Sequence, residues 1–270
     1  LLKSLYRRHP LRIDIAGTVE SIAKITAENL YECYNTFYNL HNMALCICGD
    51  VTPEQVKAVA DAVLKKAPDQ EILRQYPDEP DEVCRPRIED RLEVSRPLFN
   101  IGIKVTPAAD AAERLRRAAA TDILMDMMFG PSSEFYLKNY ENGIISGKFG
   151  KSFESMADIA CILFSGAADD PDKVYAAIRE EIEKRRREGF TEEEFNRAKK
   201  VFYTATLSHF DSTEDVANSF LSFLFDGGNM FDYPTTVAET TLEYATECFR
   251  RDFDISRSAI SVILPIEKQD

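Results

Sequence analysis

Apolar residues recur at helical spacing in two stretches near the start of the chain, and a short apolar run separates them. Thr26 precedes the first stretch, and Thr52 followed by Pro53 precedes the second. A hydroxyl at the N-cap and a proline at the first helical position both favour a helix start. The run from Met43 to Cys48 is too short for a helix and is bounded by turn residues, which predicts a buried strand. Residues 18–66 are therefore predicted to form helix, strand and helix.

Regular patterns resume after a break in the chain. Residues 67–96 are rich in proline and acidic residues and lack sustained periodicity, which predicts a linker. Residues 99–105 then alternate between apolar and other side chains as a strand, and apolar residues from Leu115 to Met127 recur at every fourth position as a helix. The remaining predicted elements are a short helix capped by Ser132 or Ser133, two strands within 148–165, and helices over 171–188, after Thr191 and over 214–225.

Composition and charge exclude some classes of protein. With 270 residues, 44% of them hydrophobic, the chain can bury a sizeable core. Its net charge of −13 argues against nucleic-acid binding, which needs a cationic face. The apolar runs fall short of the roughly 20 residues that span a bilayer, so we expect no membrane partner and a cytoplasmic protein. The chain opens with Leu1 rather than Met, which suggests a fragment.

Residues 26–48 and 241–263 match when the chain is shifted on itself by 215 residues without gaps. Five positions are identical, including Cys33 and Cys248, and the helix and strand patterns follow in the same order. Self-similarity of this kind indicates an internal duplication.

The duplication bears on Cys46 and Cys48, whose close spacing raises the question of a metal or redox site. Their partners in the second copy are Ser261 and Ile263, which share no metal-binding chemistry. C-x-C also lacks the two-residue gap of common zinc signatures. Structural burial is therefore the favoured interpretation, with a redox or metal role as the alternative. The six cysteines are spread too thinly for a disulfide framework, so we expect reduced thiols.

Several segments resemble the pitrilysin/insulinase family of zinc metallopeptidases. The closing part of one domain of that family is resembled by three segments: Tyr6-x-x-His9-Pro10, Gly17-Thr18 and SIAKITAENLYECYNTFYNLHNMALCICGDV. The second homologous domain is resembled by two more: FGPSSEFYLKNYENGIISGKFGKSFE and GFTEEEFNRAKK. The resemblance implies an α+β fold, with an antiparallel sheet layered with helices, in a duplicated metallopeptidase-type domain whose first copy is truncated. The implied domains are residues 1–75, the remnant of the first, metal-bearing type of domain; residues 76–96, a linker; and residues 97–270, the second domain.

The family's zinc site is an inverted H-x-x-E-H helix plus a glutamate further along. The histidines here are His9, His41 and His209, and none begins or ends that motif. The resemblance therefore implies that Zn²⁺ belongs to the full-length parent, with ligands upstream of residue 1, and that this stretch has neither metal ligands nor catalytic residues. Each histidine is expected to be a packing or surface residue.

The family's second domain helps to hold substrate, commonly through an arginine and a tyrosine seven residues later. In this sequence the two positions are occupied by Lys138 and Ile145. Lysine keeps the positive charge but lacks the bidentate guanidinium of arginine, and isoleucine lacks the hydroxyl of tyrosine. Lys138 is thus a candidate substrate-binding residue, with a solvated helix lysine as the alternative. Gly143, Gly147 and Gly150 are candidates for close backbone approach in edge-strand peptide binding, or else mark ordinary turns and bulges.

Three hypotheses for function follow. The first is the C-terminal, substrate-chamber portion of a zinc endopeptidase, with peptide substrates and an N-terminal catalytic half as partners, inactive by itself. The second is a non-catalytic pseudo-peptidase subunit that pairs with a homologous active subunit. The third is an unrelated α+β interaction module. Motifs of other enzyme classes, such as G-x-G-x-x-G, the P-loop and G-x-S-x-G, are absent from the sequence.

Overall fold

The computed structural model describes residues 1–266, which form two compact units. Of the described residues, the larger unit comprises Leu1–Arg12, Pro77–Leu207 and 231–266, and the smaller unit comprises Ile13–Tyr76 and Ser208–Met230. The predicted division into residues 1–75, 76–96 and 97–270 describes which segments descend from which copy of the duplicated domain. The division into compact units depends on contacts between residues and does not test that prediction. That division stays a prediction.

The larger unit is built on one five-stranded sheet with the order β1-β5-β2-β4-β3. Its neighbouring strands are antiparallel except β1 and β5, which are parallel. The strands are β1 Arg87–Leu92, β2 Leu98–Val105, β3 Gly150–Ser155, β4 Ala160–Ala167 and β5 Ser258–Pro265.

Helices surround this sheet and make up the regular structure of the smaller unit. They are α1 Leu2–Leu5, α2 Val19–Ile22, α3 Ala27–Phe37, α4 Pro53–Val63, α5 Ala111–Phe129, α6 Glu134–Glu141, α7 Pro171–Glu188, α8 Glu192–Ser208, α9 Thr213–Phe225, α10 Tyr233–Glu239 and α11 Leu242–Asp252. The predicted α+β class, a sheet layered with helices, is confirmed. Among the described helices, none is long and apolar enough to cross a membrane.

Alternation along β2 directs the main core to one face of the sheet. Phe99, Ile101 and Ile103 are buried there with Ile123 and Leu124 of α5. Since successive side chains of a strand point to opposite faces, the residues between them face the other side. The strand predicted over 99–105 is thus confirmed.

The second face of the sheet is covered by α1. Leu5 and Tyr6 form a smaller buried cluster with Cys161 and Ala259. A Cβ atom at Gly102 would lie 2.7 Å from Cδ1 of Leu5, so glycine is what lets α1 approach β2 closely.

Regular structure occurs inside the range predicted to be a linker. Strand β1 pairs in parallel with β5, and its first residue, Arg87, lies opposite Ile260. The sequence RIEDRL gives no alternation because an edge strand can expose charged residues on both faces. Its partner is far away in sequence, so local patterns did not indicate it.

Helix starts follow the capping patterns in the sequence. The hydroxyl of Thr26 accepts the N–H of Asn29, that of Thr52 accepts the N–H of Gln55, and that of Thr191 accepts the N–H of Glu194, at 3.2, 3.3 and 3.3 Å. Each bond satisfies an N–H group that has no partner inside its helix. The predicted starts of these three helices are confirmed.

The duplicated segments share their local structure up to the predicted strand. Helices α3 and α11 occupy equivalent positions, and each is followed by a 3₁₀ helix, Leu40–Asn42 or Ile255–Arg257. The residues after the two helices, Tyr38 and Phe253, have φ and ψ of −87° and 53° and of −89° and 50°. The same local sequence pattern therefore produces the same backbone twice.

The two copies differ at the next step. The second continues into β5, whereas residues 43–48 form no strand in the part of the chain that the structure describes. The predicted strand at 43–48 is wrong for this chain, because a strand requires a neighbour to accept and donate backbone hydrogen bonds, and no described strand lies beside it.

Candidate functional site

An open sheet edge is the feature best suited to recognise another polypeptide. Strand β3 pairs with β4 on one side, and its other side has no neighbour among the described strands. An edge strand presents a row of N–H and C=O groups that an extended peptide can bind. Apolar packing holds the strand in place, with Phe153 against the main core.

The predicted glycines around this edge have distinct roles. Gly143 has a φ of +69° and follows α6 in a left-handed turn. A Cβ at Gly150 would lie 2.8 Å from Oγ of Ser165, so this glycine lets β3 approach β4. Gly147 has open space around it. Turn and packing chemistry therefore accounts for Gly143 and Gly150.

Two aspartates one turn apart on α5 lie beside this edge strand. Nζ of Lys151, on β3, lies 2.5 Å from Oδ1 of Asp126, and the hydroxyl of Tyr233 donates to Oδ2 of Asp122 at 3.2 Å. Burial raises the pKa of Asp122 to about 7, although the Tyr233 hydrogen bond and the Lys151 charge act in the opposite direction. Asp122 can therefore accept or donate a hydrogen bond near neutral pH.

Sequence reasoning did not identify this polar cluster. The only local signal is the spacing of Asp122 and Asp126, which interrupts an otherwise apolar helix face at i and i+4. Their partners, Lys151 and Tyr233, come from β3 and from the start of α10, which only the tertiary structure brings together.

Lys138 lies exposed on α6, beside a small groove between α6 and α7 with a volume of about 70 Å³. Glu134 and Lys184 line the same groove, with Nζ of Lys184 2.7 Å from Oε2 of Glu134. Hydrogen bonding from Lys184 lowers the pKa of Glu134, and the charge of Lys138 acts in the same direction. Ile145, in contrast, is buried in the main core. The two positions therefore do not face a common ligand at the surface.

A larger cavity of about 450 Å³ lies between α5, α10 and α11. The guanidinium of Arg116 lies 4.6 Å from the centre of the Tyr244 ring, and the Tyr244 hydroxyl donates to Glu113 at 3.0 Å. Burial, together with the neighbouring Cys248 and Glu113, raises the pKa of Tyr244. The phenol therefore stays protonated and serves as a hydrogen-bond donor.

The three histidines occupy separate surroundings. Nε2 of His9 lies 2.6 Å from Oδ2 of Asp158, and its Nδ1 accepts the backbone N–H of Leu11. His41 lies 3.3 Å from Asp69, and His209 is exposed in a 3₁₀ helix. Within residues 1–266 no group of three or more histidine, cysteine or acidic side chains is placed to hold a metal ion.

The six cysteines are all unpaired. Cys46 is partly buried and Cys48 is exposed, so the predicted burial of both in a strand is wrong for this chain. The reason is again the missing neighbouring strand, since a strand buries its side chains only when it is part of a covered sheet.

Comparisons with known proteins connect this fold to peptidases. A family model described as the peptidase M16 inactive domain matches residues 24–202. A Bacillus subtilis protein named uncharacterized zinc protease YmfH is 32% identical over 269 residues, which cover 98% of this chain and 63% of that protein. The chain thus spans less than two thirds of this relative.

Solved structures of peptidases and peptidase domains also share the fold of this chain. The crystal structure of a protein described as an M16-like peptidase, from Alicyclobacillus acidocaldarius, is 30% identical with a TM-score of 0.90, covering 98% of this chain and 64% of that one. A peptidase M16 inactive domain from Pseudomonas fluorescens has a TM-score of 0.78 at 17% identity, covering 100% and 64%. At that identity the second likeness shows the fold alone.

Proposed function

This chain belongs to the M16 peptidase family and corresponds to the C-terminal, inactive part of its members, and from that premise we propose that it forms the part of a zinc endopeptidase that contacts the peptide substrate. The observation that carries the proposal is the open edge of β3 in a domain of this family. An extended substrate would add to the sheet as a further strand, held by main-chain hydrogen bonds. Its affinity would then depend little on side-chain sequence.

Lys138 is the proposed charged contact for such a peptide. Its side chain is exposed on α6, the helix that precedes β3 in the chain, and an acidic side chain or terminal carboxylate of the substrate would pair with it. A lysine attracts a carboxylate as a point charge, without the paired geometry of an arginine. We therefore expect a modest preference for acidic peptides rather than strict recognition.

The zinc chemistry is proposed for the parent protein, with ligands upstream of residue 1. The residues described here do not fit the metal, because the three histidines lie in separate surroundings and no cluster of ligands is formed within residues 1–266. In a zinc peptidase the metal activates water for attack on the peptide carbonyl. This chain would contribute substrate binding and positioning only.

The partner is proposed to be an N-terminal catalytic half or a homologous active subunit. The residues that precede Leu1 in the gene product distinguish these arrangements. An intact H-x-x-E-H there supports a single endopeptidase polypeptide, whereas a degraded motif supports a non-catalytic subunit that pairs with an active one. A cytoplasmic location stays a prediction.

Proline substitution in β3 tests the peptide-binding edge. Ser152 and Ser155 differ by an odd number of residues, so their N–H groups point to opposite sides of the strand. The probe is a fluorescein-labelled heptapeptide of alternating valine and threonine, followed by fluorescence anisotropy. Of Ser152→Pro and Ser155→Pro, one removes an N–H that pairs with β4 and should lower the melting temperature, and the other removes an N–H on the open side. The variant that keeps the wild-type melting temperature should bind the peptide about tenfold more weakly. Unchanged binding in both variants would refute the edge as the site.

The role of Lys138 is tested with the same peptide carrying one glutamate. Lys138→Ala should weaken binding of the acidic peptide several-fold and leave the neutral peptide unaffected, because only the charge contact is lost. Lys200→Ala, an exposed lysine on α8, is the matched control. Equal effects of the two alanines would remove Lys138 from the site.

The absence of a catalytic centre is tested by peptide hydrolysis. The 270-residue chain should not cleave peptides in a way that a chelator abolishes and zinc restores. Chelator-sensitive cleavage by the purified chain would contradict the placement of the metal site outside it.

A further inference from the structure

The register of the β3–β4 hairpin determines which backbone groups of β3 are paired. The N–H of Met156 donates to the carbonyl of Ile159 at 2.8 Å, so these two residues form a hydrogen-bonded pair at the turn. Hydrogen-bonded and non-hydrogen-bonded pairs alternate along an antiparallel ladder. Glu154 and Cys161 lie opposite each other two positions further along and form the next hydrogen-bonded pair. The N–H and C=O groups of Glu154 therefore point toward β4.

The backbone groups on the open side of β3 belong to the residues between those pairs. They are the N–H and C=O groups of Lys151, Phe153 and Ser155. A strand added antiparallel to β3 would form its hydrogen bonds with these three residues. Its residue opposite Glu154 would then lie in a non-hydrogen-bonded pair, in which the Cα atoms are about 4.5 Å apart and the side chains are closest.

The side chain of Glu154 lies on the face of the sheet that points away from α5. Lys151 and Phe153 face α5 and the main core, and Asp126 holds the ammonium of Lys151. Because successive side chains of a strand alternate, Glu154 points to the other face, where its neighbour Cys161 is part of the smaller buried cluster. Lys151 is thus on the opposite face from Glu154 and is already paired with α5.

Glu154 is exposed and forms no ion pair within residues 1–266. A charge in the middle of an edge strand disfavours pairing with an uncharged or acidic strand, because the carboxylate would lose water without gaining a partner. A lysine or arginine directly opposite removes this penalty, since oppositely charged cross-strand pairs stabilise an antiparallel ladder.

We propose that Glu154 selects peptides that carry a basic residue directly opposite it in the strand added to β3. This inference rests on the proposed function and names the class of peptide that its site accepts. The preferred peptide is extended and has lysine or arginine at this one position. It is compatible with the acidic contact proposed for Lys138, because Lys138 lies on α6 rather than on β3.

A second copy of this chain does not supply such a cation. When two β3 strands pair antiparallel through their open sides, the residues whose backbone groups face β4 lie opposite one another. Gly150, Ser152, Glu154 or Met156 of the second copy would therefore lie across from Glu154, and none of them is basic. The net charge of −13 on each chain also opposes self-association.

Peptides of opposite charge test the proposal by fluorescence anisotropy at low ionic strength. The probes are the labelled heptapeptide of alternating valine and threonine, which begins with valine, and two versions of it with lysine or glutamate at the central position. With that position opposite Glu154, the third, fifth and seventh residues pair with Ser155, Phe153 and Lys151. The lysine peptide should bind the wild-type chain at least about threefold more tightly than the glutamate peptide.

Substitution of Glu154 should remove or reverse this preference. Glu154→Gln keeps the shape of the side chain and should bring the ratio of the two affinities close to one, and Glu154→Lys should prefer the glutamate peptide. An unchanged preference in both variants would overturn the proposal.

A charge-matched control separates a local contact from the general attraction of an acidic chain for cations. Glu188→Lys changes an exposed residue at the end of α7, alters the net charge by the same amount as Glu154→Lys, and should keep the wild-type preference. Loss of the preference in Glu188→Lys would also overturn selection by Glu154.

Ser155→Pro separates this inference from the proposed function. The N–H of Ser155 points to the open side of β3, so the substitution removes a contact with the peptide and no bond to β4. Weaker binding of the neutral peptide by Ser155→Pro, together with an unaltered charge preference in the Glu154 variants, would retain the edge and reject selection by Glu154. Unchanged binding of all three peptides by Ser155→Pro would reject the edge and this inference with it.

Discussion

The carboxylate of Glu79 accepts a hydrogen bond from the backbone N–H of His9 at 2.8 Å, although 70 residues separate them in sequence. The same carboxylate accepts the N–H groups of Arg7 and Arg8 and lies 2.7 Å from Nζ of Lys104. Glu79 therefore joins the residues before Ile13 to those after Tyr76 within the larger unit. Burial alone would raise the pKa of Glu79, but these N–H groups and Lys104 outweigh it and lower the pKa to about 2.

Glu79→Gln should reduce stability and change its dependence on pH. Because the pKa is lower in the folded state than in the unfolded state, the stabilisation is fully present above about pH 4.5 and is lost as the pH falls toward 2. We expect a loss of about 1–2 kcal/mol at pH 7, allowing for solvent screening. Urea unfolding between pH 7 and 3 measures it, with the exposed Glu82→Gln as control. Parallel pH profiles for wild type and Glu79→Gln would contradict this role.

Asp122 should produce the opposite dependence on pH. Its pKa is raised to about 7 in the folded state, so the stabilisation is present below about pH 4 and is lost as the pH rises through 7. Asp122→Asn should flatten this fall between about pH 4 and 7. Thermal unfolding across that range checks the expectation, with the exposed Asp90→Asn as control. An unchanged slope in Asp122→Asn would show that Asp122 titrates normally.

Asp252→Ala should be among the most destabilising single changes. The guanidinium of Arg117 lies 2.8 Å from Asp252, and the two side chains are 6 and 1% exposed. Removing the carboxylate leaves a buried cation without compensation, which costs about 3–5 kcal/mol. Asp169→Ala breaks the exposed pair with Arg96 and should cost less than about 1 kcal/mol. Similar losses in the two variants, measured by urea unfolding, would be inconsistent with this difference in burial.

The duplication supplies a matched pair of core substitutions. Ile260→Ala should cost about 2–5 kcal/mol because the side chain is fully packed. Leu45→Ala, its equivalent in the first copy, should change the stability of the 270-residue chain by less than about 0.5 kcal/mol because the side chain is exposed. Comparable losses would mean that Leu45 is covered in solution.

Gly102→Ala should loosen the packing of α1 on the sheet. The added Cβ would meet Leu5, which must move, and overpacking of this kind costs about 1–3 kcal/mol. Gly147→Ala has nothing within 4 Å of the added atom and serves as control. Hydrogen exchange of residues 4–6 together with urea unfolding would reveal the effect. Unchanged exchange in Gly102→Ala would mean that α1 accommodates the methyl group without loss.

Local patterns sufficed for the elements whose stabilising contacts are close in sequence. The helix starts at Thr26, Thr52 and Thr191 were predictable because each hydroxyl caps an N–H three residues later. The strand over 99–105 was predictable because its apolar residues alternate. Strand β1 was not predictable, because its stability depends on β5, more than 160 residues away.

The candidate site was only partly visible in the sequence. Lys138 is exposed as a binding residue must be, but its role stays a prediction. The edge position of β3 and the cluster around Asp122 depend on strand order and on contacts between α5, β3 and α10, which no local pattern encodes.

The sequence by itself indicated the helix starts and the duplication, because caps, apolar spacing and repeated residues are local properties of the chain, and the segments that resemble a known peptidase family implied the α+β class and the family. The tertiary structure decided which apolar segments become strands. Each of the segments 43–48 and 258–263 follows an equivalent helix and a 3₁₀ turn, yet only the second segment is paired and buried. The physical reason is that a helix satisfies its backbone hydrogen bonds within itself, whereas a strand satisfies them only with a neighbour.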